Sequence, residues 1–347
     1  MQRIPLLIAC LCLLAMPRSY AQKKQYQVCA VAFYNFENFF DTVQDSRYDL
    51  DFIPDGNYHY TSAIYHAKVH NLATVLRQLG TDVNPDGPAI IGTAEIEHAS
   101  VLRDLVNQPE IKDRNYQVVH FESPDSRGID VAMLYNPKYF RLLKAQALLT
   151  DISGFGEKGG HTRDVLHVIG ILRGDTTHVF VNHWPSRRGG EAASAPLRAI
   201  AAGVSKHVID SLVAIDPQTR ILNMGDLNDD PTSPSVAKVL GAVGDKAKVR
   251  PGGLFNPWAA YYNQGIGTLA YNDSWNLFDQ VMLSSGWLQK SDTHWQYYRA
   301  EIFSRDFLKE KFGQYKGYPH RSFDGTNWID GYSDHFPVLV YLVKPVQ

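Results

Sequence analysis

Acidic, amide and histidine side chains follow several apolar segments of this 347-residue sequence, close to the point where each segment ends. These side chains are Asn35 and Glu37, Glu95, Asn182 and His183, Asp226 and Asn228, Asp279, and Asp334 with His335. A carboxylate at the end of a buried strand is unfavourable unless a partner or a metal compensates its charge. One such ending would mean little, but its repetition along the chain predicts that these ends meet at one site.

The types of donor predict a site for a hard divalent cation beside a phosphate. Carboxylate and amide oxygens, with no cysteine among them, suit Mg²⁺, Mn²⁺ or Ca²⁺. His183 and His335 add groups that can donate to a phosphate or transfer a proton. Together these groups favour phosphoester hydrolysis, in which a metal polarises the phosphate, a base prepares water and positioned donors stabilise the transition state.

The stretch 221–236, ILNMGDLNDDPTSPSV, has more acidic and amide side chains close together than the other strand ends. Asp226 and Asn228 face the same side if strand geometry persists there. On its own, this composition favours a polar turn, because Asp, Asn, Ser and Pro stabilise turns locally. The other strand ends reverse that preference, because they supply ligands and histidines that a turn would not need. Asp229 and Asp230 are then expected only to lead the chain into its next helix.

Six short motifs follow one another along almost the whole chain: YNFEN (34–38), AEIE (94–97), NHWPSR (182–187), GDLND (225–229), FDQ (278–280) and SDHFP (333–337). In these motifs and their order, the chain resembles the endonuclease/exonuclease/phosphatase superfamily of DNase I-like, metal-dependent phosphoesterases. The resemblance implies the α+β class and a four-layer α/β sandwich, in which two packed, mostly antiparallel sheets are flanked by helices. It also implies a site at one edge of the sheets.

The resemblance also implies which residues bind the metal. Asn35, Glu37, Glu95 and Asp334 would form that end of the site, and the metal is expected to be Mg²⁺, with Mn²⁺ or Ca²⁺ as alternatives. The first motif reads Asn-x-Glu where many repair nucleases have Asn-x-Asp. The longer Glu37 side chain can still reach a metal.

The catalytic roles follow from the same motifs. Asp226 would orient or deprotonate the attacking water, and Asn228 would hydrogen-bond the phosphate. His335 would contact a phosphate oxygen, with Asp279 fixing its tautomer. His183 would serve the phosphate or the leaving group. The motifs leave open which of the two histidines is the general acid.

Three further charged residues lie in stretches that also resemble the superfamily: Arg127, Asp130 and Arg163. An arginine can bind a phosphate through two N–H groups, but either arginine could equally form a structural ion pair. Glu97, which follows the second motif's main position, is expected to be an ordinary exposed acid.

The first 21 residues predict a signal peptide. Arg3 provides the positive start, residues 4–16 the apolar core and residues 19–21 (SYA) the cleavage site. The mature chain, 22–347, is therefore expected to form one domain in a secreted or periplasmic protein. A lipoprotein alternative at Cys10 leaves too short an apolar segment before it. Cleavage would leave Cys29 as the only cysteine, so the fold must depend on a hydrophobic core.

The charge balance limits the class of partner. The chain has 34 Lys and Arg residues against 36 Asp and Glu residues, a formal net charge of −2. A protein that binds nucleic acid by general attraction needs a basic face, so this balance weakens a general nuclease. Nucleic acid, a phospholipid head group and a small phosphoester all remain candidate substrates. The alternative to an enzyme is a binding or adhesion module with the same fold, which would have no reason to keep the whole acidic and histidine set.

The sequence predicts short apolar strands interspersed with a few helices, which fits the α+β class. No transmembrane segment is expected in the mature chain. The spacing of apolar residues predicts helices over residues 61–80, 100–107 and 191–215. The third helix tolerates Pro196 only if this residue lies in the first turn. A turn at Gly174-Asp175 predicts a hairpin. The aromatic side chains of segment 287–328 could stack on bases, sugars or a lipid head group, but most are expected to pack a peripheral helix onto a sheet. The segment also carries local positive charge, which is more typical of a solvated face than of a rim for a phosphorylated substrate.

Overall fold

The computed structural model describes residues 25–44, 49–155 and 160–346, so the predicted signal peptide lies outside the described residues. The strands, numbered along the chain, are β1 (Tyr26–Phe39), β2 (Ile90–Ile96), β3 (Gln117–His120), β4 (Asp130–Tyr135), β5 (Phe140–Leu148), β6 (Val165–Leu172), β7 (Asp175–His183), β8 (Arg220–Asp226), β9 (Ala242–Val243), β10 (Leu254–Phe255), β11 (Leu269–Tyr271), β12 (Ser274–Asn276), β13 (Asp279–Ser284), β14 (Gln296–Ile302), β15 (Phe323–Asp324), β16 (Asn327–Trp328) and β17 (Val338–Pro345). The α-helices are α1 (Ser62–Gln78), α2 (Ala99–Val106), α3 (Glu191–Ile215) and α4 (Trp258–Tyr262). Short 3-10 helices span Lys112–Arg114, Ser153–Phe155, Lys246–Lys248, Ser285–Trp287 and Asp306–Leu308, and a π-helical turn spans Ser235–Val239.

Two mixed sheets organise the molecule. Within the described residues, the first sheet has six strands in the order β14-β17-β1-β2-β4-β3, and the second has seven in the order β5-β6-β7-β8-β13-β10-β9. Neighbouring strands are antiparallel except in the pairs β1–β2, β7–β8 and β9–β10. The expectation of mostly antiparallel sheets is therefore confirmed.

The two faces of each sheet bury different sets of side chains, because successive residues of a strand point to opposite sides. On β1, Ala32 joins the core cluster that contains Leu72 of α1, whereas Phe33 joins Met224 in the cluster between the sheets. On the second sheet, Phe180 packs in a cluster with Ala201 of α3. The layers therefore run helices, sheet, sheet, helix, which confirms the predicted four-layer sandwich.

The three predicted helices form with bounds within two residues of those expected, and α3 begins and ends where its pattern indicates. The position of Pro196 differs from the expected one, because this proline is the sixth residue of α3 and so lies beyond the first turn. Proline has no N–H to donate to the carbonyl four residues earlier, so the helix accommodates a missing hydrogen bond there. None of the helices in the described ranges combines the length and apolar character needed to cross a bilayer.

The aromatic-rich segment 287–328 does not form the expected peripheral helix. It contains β14, a short 3-10 helix and the whole of the small β15–β16 hairpin. Trp295 and Phe303 are buried, as a packing role requires, but Phe312 is exposed. Gly313 and Gly317 adopt positive φ angles of 75° and 93°, which interrupt any helical path through this segment.

Strand pairing brings the predicted site residues to one edge of the molecule. In the parallel pair β1–β2, Asn35 lies opposite Ala94. In the parallel pair β7–β8, His183 lies opposite Asp226, and β13 begins beside them with Asp279 opposite Asp226. Because parallel neighbours end at the same edge, the polar endings noted in the sequence converge.

Candidate active site

Asp226, at the end of β8, lies at the centre of the converging side chains and is buried. Its Oδ2 accepts a hydrogen bond of 3.0 Å from Asn35 Nδ2, and its Oδ1 accepts one of 3.0 Å from the Asn228 N–H. The Nε2 atoms of His183 and His335 lie 3.7 Å and 3.8 Å from Oδ2. Burial raises the pKa of Asp226 to about 6, against the opposing charge of His335. The carboxylate is therefore suited to exchange a proton near neutral pH.

His335 forms a hydrogen-bonded pair with Asp279. Its Nδ1 donates to Asp279 Oδ2 at 2.7 Å, while its Nε2 lies 3.9 Å from Asp334 Oδ1. Burial opposes the charged ring, but the carboxylates of Asp279 and Asp226 outweigh it, and the pKa of His335 is raised well above its usual value. Asp226, Asp279 and His335 place potential ligand atoms within 4.8 Å of one another. In its protonated form the His335 ring has no lone pair for a metal, and both of its nitrogens donate hydrogen bonds.

His183 differs from His335 in its surroundings. Its Nε2 faces Glu95 Oε1 at 3.9 Å, which is too long for a hydrogen bond, and its Nδ1 has no hydrogen-bond partner among the described residues. Burial lowers the pKa of His183 well below its usual value, and the positive charge of Arg163 acts in the same direction. The ring is therefore neutral and available to a ligand placed between it and the carboxylates.

Glu95 is fixed in its ionised form by two neighbours. Its Oε2 accepts a hydrogen bond of 2.8 Å from the Asn38 N–H and lies 3.5 Å from Arg127 Nη2. Burial would raise the pKa of Glu95, but the Arg127 guanidinium and the Asn38 N–H together hold it below its usual value. Arg127 also donates to Asn38 Oδ1 at 2.7 Å. An ionised carboxylate facing the site is the ligand that a hard cation requires.

Glu37 and Asp334 lie near a fully buried lysine. Glu37 Oε2 accepts a hydrogen bond of 2.7 Å from the Ser322 N–H, and Lys68 Nζ donates to Ser322 Oγ at 2.5 Å. Burial raises the pKa of Glu37 to about 7, and the charge of Asp334 adds to this effect while that of Lys68 opposes it. Burial lowers the pKa of Lys68, against the charges of Glu37 and Asp334.

The remaining predicted residue, Asn228, connects Asp226 to the neighbouring loop. Its Nδ2 donates to the Trp184 carbonyl at 3.0 Å, which leaves its second amide N–H and its Oδ1 for a ligand. Asn182, another strand-end residue, has a structural role. Its Nδ2 donates to Asn223 Oδ1 and to the Met224 carbonyl at 3.0 and 2.9 Å.

Several residues of this site that sequence reasoning missed, or left open, become visible in the structure. The sequence analysis did not single out Lys68, because only the tertiary fold buries it near Glu37. Arg163 donates to Asp125 Oδ2 at 3.0 Å and to the His183 and Trp184 carbonyls, so it supports the loop that carries His183. Its ion pair favours the structural interpretation of this arginine.

The expectation that Glu97 is an exposed acid is wrong. Glu97 is buried, and its Oε2 accepts a hydrogen bond of 2.6 Å from the Asp41 N–H. Asp130 is likewise structural, because it accepts hydrogen bonds from the Ser123 N–H and pairs with His120 at 3.0 Å. These two acids shape the loops behind Glu95 and do not line the site.

The donor set fits a hard divalent cation. The Nε2 atom of His183 lies 3.9 Å from Glu95 Oε1 and 3.7 Å from Asp226 Oδ2, separations that leave space between the three groups. Asn35, whose Oδ1 accepts the Glu37 N–H at 2.8 Å, and Asp334 would add oxygen ligands without sulfur. Among the described residues, however, Glu37, Glu95 and Asp334 do not bring their carboxylate oxygens within 4.8 Å of one another. The arrangement can bind a phosphate beside a metal, with one basic carboxylate, one protonated histidine and one neutral histidine around it.

Comparisons of the three-dimensional structure find similar folds in solved proteins. An endonuclease/exonuclease/phosphatase family protein from Bacteroides thetaiotaomicron aligns with a TM-score of 0.55 and 15% identity, covering 93% of this chain and 97% of that one. A mannosyl-6-phosphatase from the same organism gives 0.53 and 16%, covering 90% and 99%. TDP2 of D. rerio, in a complex with single-strand DNA product, gives 0.52 and 12%, covering 91% and 98%. At these identities the likeness shows the fold.

Comparison with curated protein sequences finds no match. The sequence profile of the Endonuclease/Exonuclease/phosphatase family, in contrast, matches residues 30–344, a range that includes every motif and every predicted site residue. The chain therefore belongs to the endonuclease/exonuclease/phosphatase family and is a phosphoester hydrolase.

Proposed function

We propose that the chain is a secreted, divalent-metal-dependent phosphoesterase in which water attacks the phosphorus of a phosphomonoester or phosphodiester. The observation that carries the proposal is the environment of Asp226. This buried carboxylate accepts a hydrogen bond from Asn35 and lies within 3.8 Å of two histidines. One of them, His335, favours the protonated form, and the other, His183, favours the neutral form. Such a group can accept a proton while its neighbours stabilise the charge that develops on the phosphate.

The metal, Mg²⁺ or alternatively Mn²⁺ or Ca²⁺, would be held by Asn35, Glu37, Glu95 and Asp334. When bound, it would supply a Lewis acid for the phosphate oxygens. Glu95 is the most direct of these ligands, because Arg127 and Asn38 keep it ionised. Glu37 would contribute alongside the hydrogen bond that it already accepts from Ser322.

The catalytic roles divide among the side chains around this position. Asp226 orients the water and takes its proton, and Asn228 donates its free amide N–H to the phosphate. His335, oriented by Asp279, donates to a phosphate oxygen. His183 offers its neutral ring to the phosphate or the leaving group.

The proposal is tested by hydrolysis with the purified mature chain, residues 22–347. Aryl phosphomonoester, aryl phosphodiester, plasmid DNA, RNA, sphingomyelin and inositol phosphates are each incubated with Mg²⁺, Mn²⁺, Ca²⁺ or chelator. We expect turnover of at least one phosphoester that chelator abolishes. Absence of turnover under every condition would leave only a binding or adhesion module.

A pair of variants separates catalysis from folding. Asp226→Asn keeps the shape of the side chain but removes the basic carboxylate, so activity should fall by about a thousandfold or more while the thermal melt changes little. Asp210→Asn, on the exposed face of α3, is the matched control and should retain full activity. If Asp226→Asn kept its activity, the proposed role of Asp226 would be wrong.

Secretion has its own test. The proposal rests on the composition of residues 1–21, with Arg3, the apolar core and the small residues before Gln22. Expression of the full chain should yield an extracytoplasmic protein whose amino-terminal residue is Gln22. A cytoplasmic protein that keeps its first residues would contradict the localisation without affecting the proposed chemistry.

A further inference from the structure

A cavity of about 480 Å³ opens beside Asp334, next to the candidate active site. Its volume lies within the range of about 300–1,000 Å³ that is typical of small-molecule sites. One wall comes from the hairpin of β11 and β12, and the other from the segment 310–321. Asp334 is the residue that this cavity shares with the candidate active site, so the cavity adjoins the position proposed for the metal.

The walls of the cavity are built by local hydrogen bonds. In the second wall, the Glu310 N–H donates to the Tyr318 carbonyl at 2.8 Å, and the His320 N–H donates to the Leu308 carbonyl at 2.7 Å. The Tyr318 hydroxyl donates to Asp273 Oδ1 at 2.7 Å, which links this segment to the β11–β12 turn. The cavity is therefore formed before any ligand binds.

Aromatic side chains are unusually exposed around this cavity. Tyr271, Phe312 and Tyr315 line it with 71%, 83% and 49% of their surfaces exposed. Large aromatic side chains that stay accessible around one opening indicate a binding surface more often than a packing defect. Flat rings of this kind stack on the flat, apolar face of a cyclic ligand.

The polar lining determines the charge of that ligand. Glu310, Asp324 and Asp334 bring three carboxylates, against the cationic Arg321 and the His320 ring that pairs with Glu310 at 3.5 Å. A ligand of high net charge would gain little from this mixed lining, in which Glu310 and Asp324 lie opposite the cationic Arg321 and the His320 ring. Hydroxyl groups, in contrast, can donate to the carboxylates and accept from the guanidinium.

We infer that the cavity binds the alcohol part of the substrate, and that this alcohol is a neutral, hydroxyl-rich ring, which makes a sugar phosphate the substrate class. A sugar ring has an apolar C–H face for Tyr315 and Phe312 and hydroxyl groups for Glu310, Asp324 and Arg321. This inference rests on the proposed phosphoesterase function and adds the specificity that the catalytic residues themselves do not provide.

The first experiment compares substrates. The mature chain is assayed with Mg²⁺ on mannose 6-phosphate, glucose 6-phosphate, methyl phosphate, an aryl phosphodiester and a single-stranded oligonucleotide. We expect at least one sugar phosphate to give a kcat/KM at least tenfold above that of methyl phosphate, which has no ring to stack. Preference for the oligonucleotide would overturn the inference. Loss of turnover on every substrate would instead count against the proposed function.

The second experiment uses matched variants. Tyr315→Ala removes a stacking ring and should raise the KM for the sugar phosphate by about tenfold, since stacking on one aromatic ring contributes enough for such a change. Its KM for methyl phosphate should stay unchanged. Tyr298→Ala removes an aromatic ring that is 63% exposed on β14 and does not line the cavity, so it is the control. Equal effects of Tyr315→Ala on both substrates would contradict the inference.

Binding gives a readout that does not depend on turnover. Mannose 6-phosphate and inorganic phosphate are titrated calorimetrically into Asp226→Asn protein with Mg²⁺. We expect the sugar phosphate to bind at least tenfold more tightly than inorganic phosphate, and Tyr315→Ala to remove that difference. Equal affinities in both proteins would show that the cavity does not recognise the ring.

Discussion

Three residues of the candidate site adopt left-handed backbone conformations, which non-glycine residues rarely do. The φ angles of Glu37, Glu95 and Asn228 are 50°, 63° and 48°. Asparagine tolerates this region, but for glutamate it costs on the order of 1 kcal/mol. The surrounding contacts impose it, because the Asn38 N–H binds the Glu95 carboxylate and the Ser322 N–H binds that of Glu37. The left-handed backbone therefore gives the Glu37 and Glu95 side chains orientations that a regular strand would not allow.

The ammonium of Lys68 stabilises the acidic end of the site from within the core. It donates to Ser322, whose backbone N–H binds Glu37, so the lysine, serine and glutamate form one connected group. Sequence patterns could not reveal it, because a lysine in a helix is normally a surface residue. Its burial follows only from the packing of α1 against the segment that carries Ser322.

Lys68→Met should therefore destabilise the fold by about 3–5 kcal/mol, because it leaves the buried Glu37 carboxylate without a compensating charge. The double variant Lys68→Met/Glu37→Gln should recover part of that loss. Chemical denaturation measures both. Lys206→Met, which removes an exposed lysine paired with Asp210, is the control and should change the free energy of unfolding by no more than about 0.5 kcal/mol. Equal, small effects of both lysine variants would contradict the account.

At the scale of elements, the sequence predicted strand ends and amphipathic helices well. β8 ends in Asp226 and β7 in His183, and parallel pairing of these strands brings the two residues together. What local patterns could not predict depends on long-range contacts. The segment 287–328 has the aromatic content of a packed helix, but its glycines at positive φ make it an irregular wall. The same segment provides one wall of the cavity beside Asp334.

The outer face of the second sheet carries a buried pair of histidines. His167 on β6 stacks on Phe180 with 4.3 Å between ring centroids, and its Nε2 lies 3.1 Å from His178 Nδ1 on β7. Burial lowers the pKa of His167 to about 4, and the positive charges of His178 and of Lys144 on β5 act in the same direction. The folded protein therefore holds both rings neutral in a range where an unfolded chain would protonate them.

The contribution of His167 to stability should consequently fall as the pH decreases from about 6.5 to about 4, because in this range the unfolded state protonates a ring that the folded state keeps neutral. Above the unfolded pKa both states are neutral and the effect disappears. Melting temperatures measured from pH 8 to pH 4 should show a shallower decline for His167→Gln than for the wild type. His207→Gln, on the exposed surface of α3, should follow the wild type. Parallel curves for all three proteins would exclude His167 as a source of acid sensitivity.

At the scale of the whole molecule, the site lies where the two sheets meet. The first sheet and its connections supply Asn35, Glu95 and His335, whereas the second supplies Asp226 and Asp279. Neither sheet alone holds both the proposed metal ligands and the proposed base. Correct packing of the sheets is therefore a condition for activity as well as for stability.

Metal binding should stabilise the whole fold, because a ligand that binds only the folded state shifts the unfolding equilibrium. At a Mg²⁺ concentration of about 100 times Kd the gain is about 2.7 kcal/mol. Differential scanning calorimetry should show a higher Tm with Mg²⁺ than with chelator for the wild type, and no such difference for Glu95→Gln. An equal shift in both proteins would place the metal elsewhere.

The position of β17 affects the order in which the enzyme can become active. Although this strand comes last of all along the chain, it lies between β14 and β1 in the six-stranded sheet. A nascent chain that ends before Asp334 lacks this strand as well as His335, and the edges of β1 and β14 that will flank it have no partner. Completion of the catalytic site therefore requires the segment from Asp334 to the end of β17 at Pro345. A fragment that ends before Asp334 therefore cannot hydrolyse phosphoesters by the proposed mechanism.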